Sequence, residues 1–200
     1  FVRQMLTASG SNFRVPQVNF YRAVQGREPQ ALAQAVALTF MGVRPEAWPK
    51  EKWAEMGIFF SQVSYKSTLE WKEEIVMFDP NHATHLAGGS ADPQRLAAVL
   101  PDGTKVELAP DQDPRVVFAD WLIDAKNPWF ARNIVNRIWS WLLGRGIIHE
   151  PDDIRPDNPP SDPKLLAYLE REFVASQYDL KRIYRLILTS QTYQLSSVAK

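Results

Sequence analysis

Four times in this chain an acid or an asparagine stands directly before a proline that opens an apolar stripe: Glu28-Pro29, Asp113-Pro114, Asn127-Pro128 and Asp162-Pro163. Proline suits the first helical turn, where its missing N–H would be unpaired anyway. A preceding Asp or Asn side chain caps the exposed amides, and Glu is the weaker cap. The apolar spacing after each pair supports a helix. Leu32, Val36 and Phe40 share a stripe, as do Phe118, Trp121 and Leu122, and Leu165, Leu166, Leu169 and Phe173. Trp53, Met56, Gly57 and Phe60 keep the same spacing, and Asp179 is placed to cap a helix carrying Leu180, Ile183, Tyr184 and Ile187.

The texture changes between residues 71 and 112. Glu74 to Phe78 (EIVMF) is short and β-prone, Pro80 to Pro93 reads as a loop, and AAVLPDGTKVEL reads as a hairpin turning at Pro101-Asp102-Gly103. The expected fold is mainly α, with helical segments 1–70 and 113–200 on either side of a linker, 71–112, that carries a short β-hairpin.

Several functions are closed off by composition. Lys plus Arg is 23 and Asp plus Glu is 23, so the formal charge is zero. A dedicated nucleic-acid binder needs a basic stripe to release counterions. No apolar run approaches the length of a membrane span. There are no cysteines, which removes disulfides, thiolate metal sites, cysteine nucleophiles and thioether-linked haem. The chain starts at Phe1 and FVRQML reads as mid-helix without a cap, as expected for a piece of a longer chain; no signal peptide lies in this segment.

The helix opening at Pro128 (PWFARNIVNRIWSWLL) gathers Arg132, Asn133, Asn136, Arg137 and Ser140 within ~140° of its circumference. Ala131, Ile134, Val135, Ile138 and Leu142 face the other way. Two Arg and two Asn suit a glycan or a carboxylate. The plainer reading is a solvated face, or bonds to the carbonyls of neighbouring loops. Gly144 fits the left-handed position that closes a helix. The Gly144-Arg145-Gly146 run follows the helix, so no helix N-terminus is there to draw a phosphate.

Residues 149–163, HEPDDIRPDNPPSDP, hold five prolines and five carboxylates. Asp152, Asp153, Asp157 and Asn158 offer oxygens of the kind calcium takes, but the spacing is not that of an EF-hand loop and no glycine permits its sharp turn. A proline-stiffened Ω-like connector accounts for more of the residues. In that reading Asp162 caps the next helix, Ser161 supports it, and Arg155 pairs bidentately with one neighbouring carboxylate. His82 and His85 form H-x-x-H in a loop, without a third ligand at recognisable spacing. His149 is the remaining histidine, and no G-x-S-x-G elbow is present. Trp139 leans toward the polar edge of its helix, as a ligand contact or as a core anchor; Trp141, two residues on, cannot share that face.

NPWFARNIVNRIWSWLLGRGIIHEPDDIRPDNPPSDPKLLAYLEREFV, followed by YDLKRIYRLILTSQTYQLSS, resembles the planctomycete cytochrome-associated proteins. These carry two adjacent domains of unknown function, one cytochrome-linked and one planctomycete-specific. Residues 113–197 look like the start of the second. FVRQMLTASGSNFRVPQVNFYRAV and ALAQAVALTFMGVR look like the end of the first. The resemblance covers the chain except about residues 79–97. It implies an exported protein, hence a periplasmic or extracellular location, and no established reaction. Many relatives carry a C-x-x-C-H-like stretch after GVR. Here PEAWPKEKW follows instead, with Trp48 where relatives have histidine.

The expected function is therefore a non-catalytic binding or assembly module with a protein or glycan partner, without cofactor, metal or catalytic residues. Its candidate surface is Arg132, Asn133, Asn136, Arg137, Asp152, Asp153 and Arg155. A hydrolase using carboxylates or a metal on polysaccharide is the alternative. An electron-transfer accessory whose haem site has been lost is the second.

Overall fold

The computed structural model describes residues 1–82 and 96–195. The fold is mainly α, as expected, with two small antiparallel sheets. The chain divides into two compact units, residues 1–36 with 48–124, and residues 37–47 with 125–200.

The first unit contains α1 (Val2–Leu6), β1 (Gly10–Ser11), α2 (Asn19–Ala23), α3 (Pro29–Val36), α4 (Lys50–Gly57), β2 (Val63–Ser67), β3 (Glu74–Phe78), β4 (Leu96–Val99), β5 (Lys105–Leu108) and α5 (Pro114–Leu122). Segment 1–70 is not helical throughout, because β1 and β2 lie in it. Helix α4 passes into a 3-10 turn, Ile58–Phe60, which ends as Ser61 Oγ donates to the Ile58 carbonyl at 2.8 Å. The alternating VSYKS that follows suits a half-buried strand better than a helix. β3 is the central strand: Val76 stands opposite Gly10 on one side and opposite Tyr65 on the other.

Residues 71–112, expected as a linker with minor β structure, thus supply the centre of one sheet and both strands of the other. The β4–β5 hairpin turns where expected: Gly103 has φ +91° and its N–H reaches the Leu100 carbonyl at 2.8 Å. Asp102 accepts from Thr104 N–H at 2.9 Å and from Trp121 Nε1 at 2.8 Å, which anchors the turn on α5. Burial alone would raise the Asp102 pKa. These donors outweigh it and leave the pKa below the usual carboxylate range. The Phe118 ring of α5 meets Phe59, Phe60 and Trp121 at centroid distances of 5.5, 5.3 and 5.3 Å. Those contacts place α5 in the first compact unit.

The second unit begins with a π-helical turn, Ala37–Met41, and holds α6 (Phe130–Leu143), α7 (Pro163–Ala175), α8 (Leu180–Leu188) and α9 (Gln191–Gln194). Its core is built from Ala131, Val135 and Ile138 of α6, Leu166, Leu169 and Phe173 of α7, Ile183 and Ile187 of α8, and Ile147, Ile148 and Ile154 of the connecting loop.

The proline-preceding residues cap as their chemistry requires. Asp113 accepts from Arg115 N–H, Asn127 from Trp129 and Phe130 N–H, and Asp162 from Lys164 and Leu165 N–H, all at 3.0 Å. Asp179 accepts from Lys181 N–H at 2.9 Å. Glu28 takes part through its carbonyl, which accepts from Leu32 N–H at 3.1 Å. Each side-chain cap contributes about 1 kcal/mol. Gly144 closes α6 at φ +77°, donating to the Ser140 carbonyl.

Candidate functional site

The expected stripe on α6 exists, and it faces inward as well as the apolar side does. Asn133 and Asn136 are fully buried. An amide in that position must find partners, since an unpaired buried polar group is costly. Asn136 donates from Nδ2 to the carbonyls of Ile148 (3.0 Å) and Pro151 (3.3 Å), while its Oδ1 accepts from Ile148 N–H at 2.8 Å. It thereby substitutes for a strand partner along the 147–151 backbone.

Asn133 and Arg137 reach the other way, to residues 38 and 39. Asn133 Nδ2 donates to the Thr39 carbonyl at 3.1 Å. Arg137 donates to the carbonyls of Thr39 (2.6 Å) and Leu38 (2.7 Å), and its Nε meets Asp152 at 2.6 Å. Leu38 and Thr39 lie in the last turn before the helix ends at Met41, where carbonyls have no intrahelical donor left. Ile154 N–H donates to the Gly42 carbonyl at 2.8 Å. Segments 37–44 and 147–154 are therefore strapped to α6 by its own polar face.

Gly42 sits at φ +65°, and a Cβ there would stand 2.6 Å from Asn133 Oδ1 and 3.0 Å from Ile154 Cδ1. Gly42→Ala is expected to destabilise the second unit by about 2 kcal/mol through backbone strain and the displaced amide. Urea unfolding of the variant against the parent chain measures it. Asn133 Oδ1 has no hydrogen-bond partner among the described residues.

The other expected residues fall as follows. Arg132 pairs with Glu170 of α7 at 2.6 Å. Arg155 does not grip one carboxylate bidentately; it bridges Asp153 (3.1 Å) and Asp157 (3.0 Å), because its fork lies between them. Ser161 does not support the Asp162 cap. Its Oγ and N–H both turn to the Ile147 carbonyl, at 3.0 and 2.8 Å. Asp152 and Asp153 thus meet different arginines, and no group of three metal-ligating side chains occurs among the described residues. His149 is exposed beside Glu150. His82 is described, while His85, Gly88 and Gly89 lie outside the described residues, as does most of the expected Pro80–Pro93 loop. Trp139 is partly buried against the core of the second unit, and Trp141 is 69% exposed.

A second feature escaped sequence reasoning, the tip between β2 and β3. Thr68 Oγ1 accepts from Glu70 N–H (3.1 Å) and donates to Glu73 (2.8 Å), whose other oxygen accepts from Ser11. Arg22 and Asn12 both donate to the Lys72 carbonyl, each at 3.3 Å. The tip is braced from both sides, yet Leu69 and Trp71 point into solvent. Strand-end Ser, Thr and Glu were the available signal; nothing local marks what they brace.

The bonds from Ser11 and Thr68 hold the Glu73 pKa below the usual glutamate range. A group depressed in the folded state adds stability above its unfolded pKa and loses it as pH falls through the folded value. Taking the chain from pH about 6 to about 3 is expected to lower amide-exchange protection at residues 68–73, measured against the intrinsic rate at each pH, and Glu73→Gln is expected to remove that loss of protection.

What these features define is a mainly α scaffold in which one helix uses its polar face to hold loops. Residues 114–200 match the family described as PSD1: Protein of unknown function (DUF1553). That match supports the second of the two domains of unknown function in the resemblance. No curated protein and no solved structure matches the chain. No helix among the described residues is long and apolar enough to cross a membrane.

Proposed function

We propose that this chain is a non-catalytic binding or assembly module of a larger exported protein, related to the planctomycete cytochrome-associated family. One observation carries the reading. Segment 149–158 turns polar and charged side chains outward (His149, Glu150, Arg155, Asp157) from a backbone that α6 pins underneath. A surface fixed before its partner arrives loses less entropy on binding. The side chains that acid–base chemistry would need are engaged elsewhere: Asp152 with Arg137, Asp153 and Asp157 with Arg155. Export is supported by the resemblance across both ends of the chain, and a thioether-bound haem has no cysteine to hold it.

The test has two arms. Co-expressed with the flanking parts of its full-length protein, the chain is expected to co-purify with them. A His149→Ala, Glu150→Ala, Asp157→Ala variant is expected to lose that association with its thermal unfolding unchanged. Reducing-end release from a polysaccharide panel is expected to stay at background. Release abolished by Asp152→Asn would replace this reading with a hydrolase.

A further inference from the structure

The β2–β3 tip walls an open cleft of about 520 Å³, lined by Arg22, Arg27 and residues 67–74. Trp71 stands at its edge, 81% exposed even with the Lys72 ammonium 4.0 Å from its ring centroid. Leu69 beside it is fully exposed. An indole held out in water by a braced loop is unusual, because Trp normally buries its large apolar face.

The cleft's charges say what would cover that indole. Arg22, Arg27 and Lys72 carry three positive charges, and Glu70, Glu73 and Glu74 carry three negative ones, which sum to zero. Glu74 takes both arginines, Arg27 at 2.6 Å and Arg22 at 3.3 Å. A balanced lining gives no field to draw a polyanion or an anionic bilayer. It does present donors, the arginines held on Glu74, beside exposed acceptors, which suits hydroxyls, since each hydroxyl both donates and accepts. A ligand with hydroxyls on its rim and an apolar C–H face for the indole is a sugar ring. We infer that the cleft beside the β2–β3 tip binds neutral saccharide chains, with Trp71 as stacking platform and Arg27, Ser67 and Glu70 as hydroxyl partners.

This adds a second surface to the binding-module reading, and the two fail separately, because Trp71 belongs to the first compact unit and residues 149–158 to the second. The experiment is affinity electrophoresis of the whole chain in gels containing laminarin, galactomannan or dextran, with dextran sulfate gels and phosphatidylglycerol vesicles as controls. At least one neutral polysaccharide is expected to retard the chain. Trp71→Ala is expected to weaken that retardation about tenfold or more, and Trp71→Phe to retain part of it, with thermal unfolding unchanged. Trp141→Ala, which removes the exposed indole of α6, is expected to behave as the parent chain does. The proposal is overturned if no neutral polysaccharide retards the parent chain. It is equally overturned if Trp71→Ala binds as well as the parent, or if only dextran sulfate or the vesicles bind.

Discussion

Replacing Arg115 by alanine is expected to cost the first unit about 3–5 kcal/mol, the range for breaking a buried ion pair from one side. Arg115 is 1% exposed, the most deeply buried charge among the described residues. Its Nη1 donates to the Ala8 carbonyl at 2.9 Å and its Nη2 to Ser9 Oγ at 3.0 Å and Asp113 at 2.8 Å. Its guanidinium carbon lies 5.6 Å from the Tyr21 ring centroid, and the Tyr21 hydroxyl donates to the Leu6 carbonyl. Burial alone would lower the Arg115 pKa. The hydrogen bonds and negative charge of Asp113 outweigh it, and the group stays protonated. Its removal leaves the Asp113 carboxylate without a counter-charge and the Ala8 carbonyl without its donor. Arg115→Ala with Asp113→Asn is therefore expected to be less destabilised than Arg115→Ala alone, since the orphaned charge is gone. Urea unfolding of the two variants and the parent measures both effects. A loss below about 1 kcal/mol would mean that water reaches the site and solvates the carboxylate.

Asn136→Ala is expected to loosen the second unit by about 3 kcal/mol, because it strands two buried backbone groups, the Ile148 N–H and carbonyl, together with the partly buried Pro151 carbonyl. Faster amide exchange at residues 147–154 and a lowered urea midpoint report it. Asn136→Asp separates the two halves of the amide. A carboxylate still accepts from Ile148 N–H but has no donor for the carbonyls, so it too is expected to destabilise. Arg132→Ala on the same helix is expected to change stability by no more than about 1 kcal/mol, as its ion pair with Glu170 is partly solvated. Equal losses from Arg132→Ala and Asn136→Ala would show that the buried amide network contributes no more than an exposed pair.

Much of the fold is legible along the chain because the relevant physics acts within one turn. Asp113, Asn127, Asp162 and Asp179 reach amides two or three residues ahead. Gly144 relieves strain at its own backbone. The hairpin turn is likewise local. The grouping of Arg132, Asn133, Asn136 and Arg137 on one face follows from helical period alone.

That this face could bond loop carbonyls was legible, but which loops it holds was not. Its acceptors at Leu38 and Thr39 are backbone carbonyls, 94 to 99 residues away, and carbonyls carry no residue-type signal. The same holds for Arg115 and the Ala8 carbonyl, 107 residues apart. Strand β2 was missed for a related reason, since its pairing with EIVMF lies outside VSYKS itself.

The sequence by itself determined where several helices begin (Pro29, Pro114, Pro163, Leu180) and where α6 ends, which side chains share a face, and that no thiol chemistry is available. Each of those is settled by groups a few bonds apart. Only the tertiary structure decided that the polar face of α6 straps residues 37–44 and 147–154, and that Trp71 stays in water. Distant backbone groups meet once the chain has folded, and a side chain's burial depends on what the rest of the chain brings beside it.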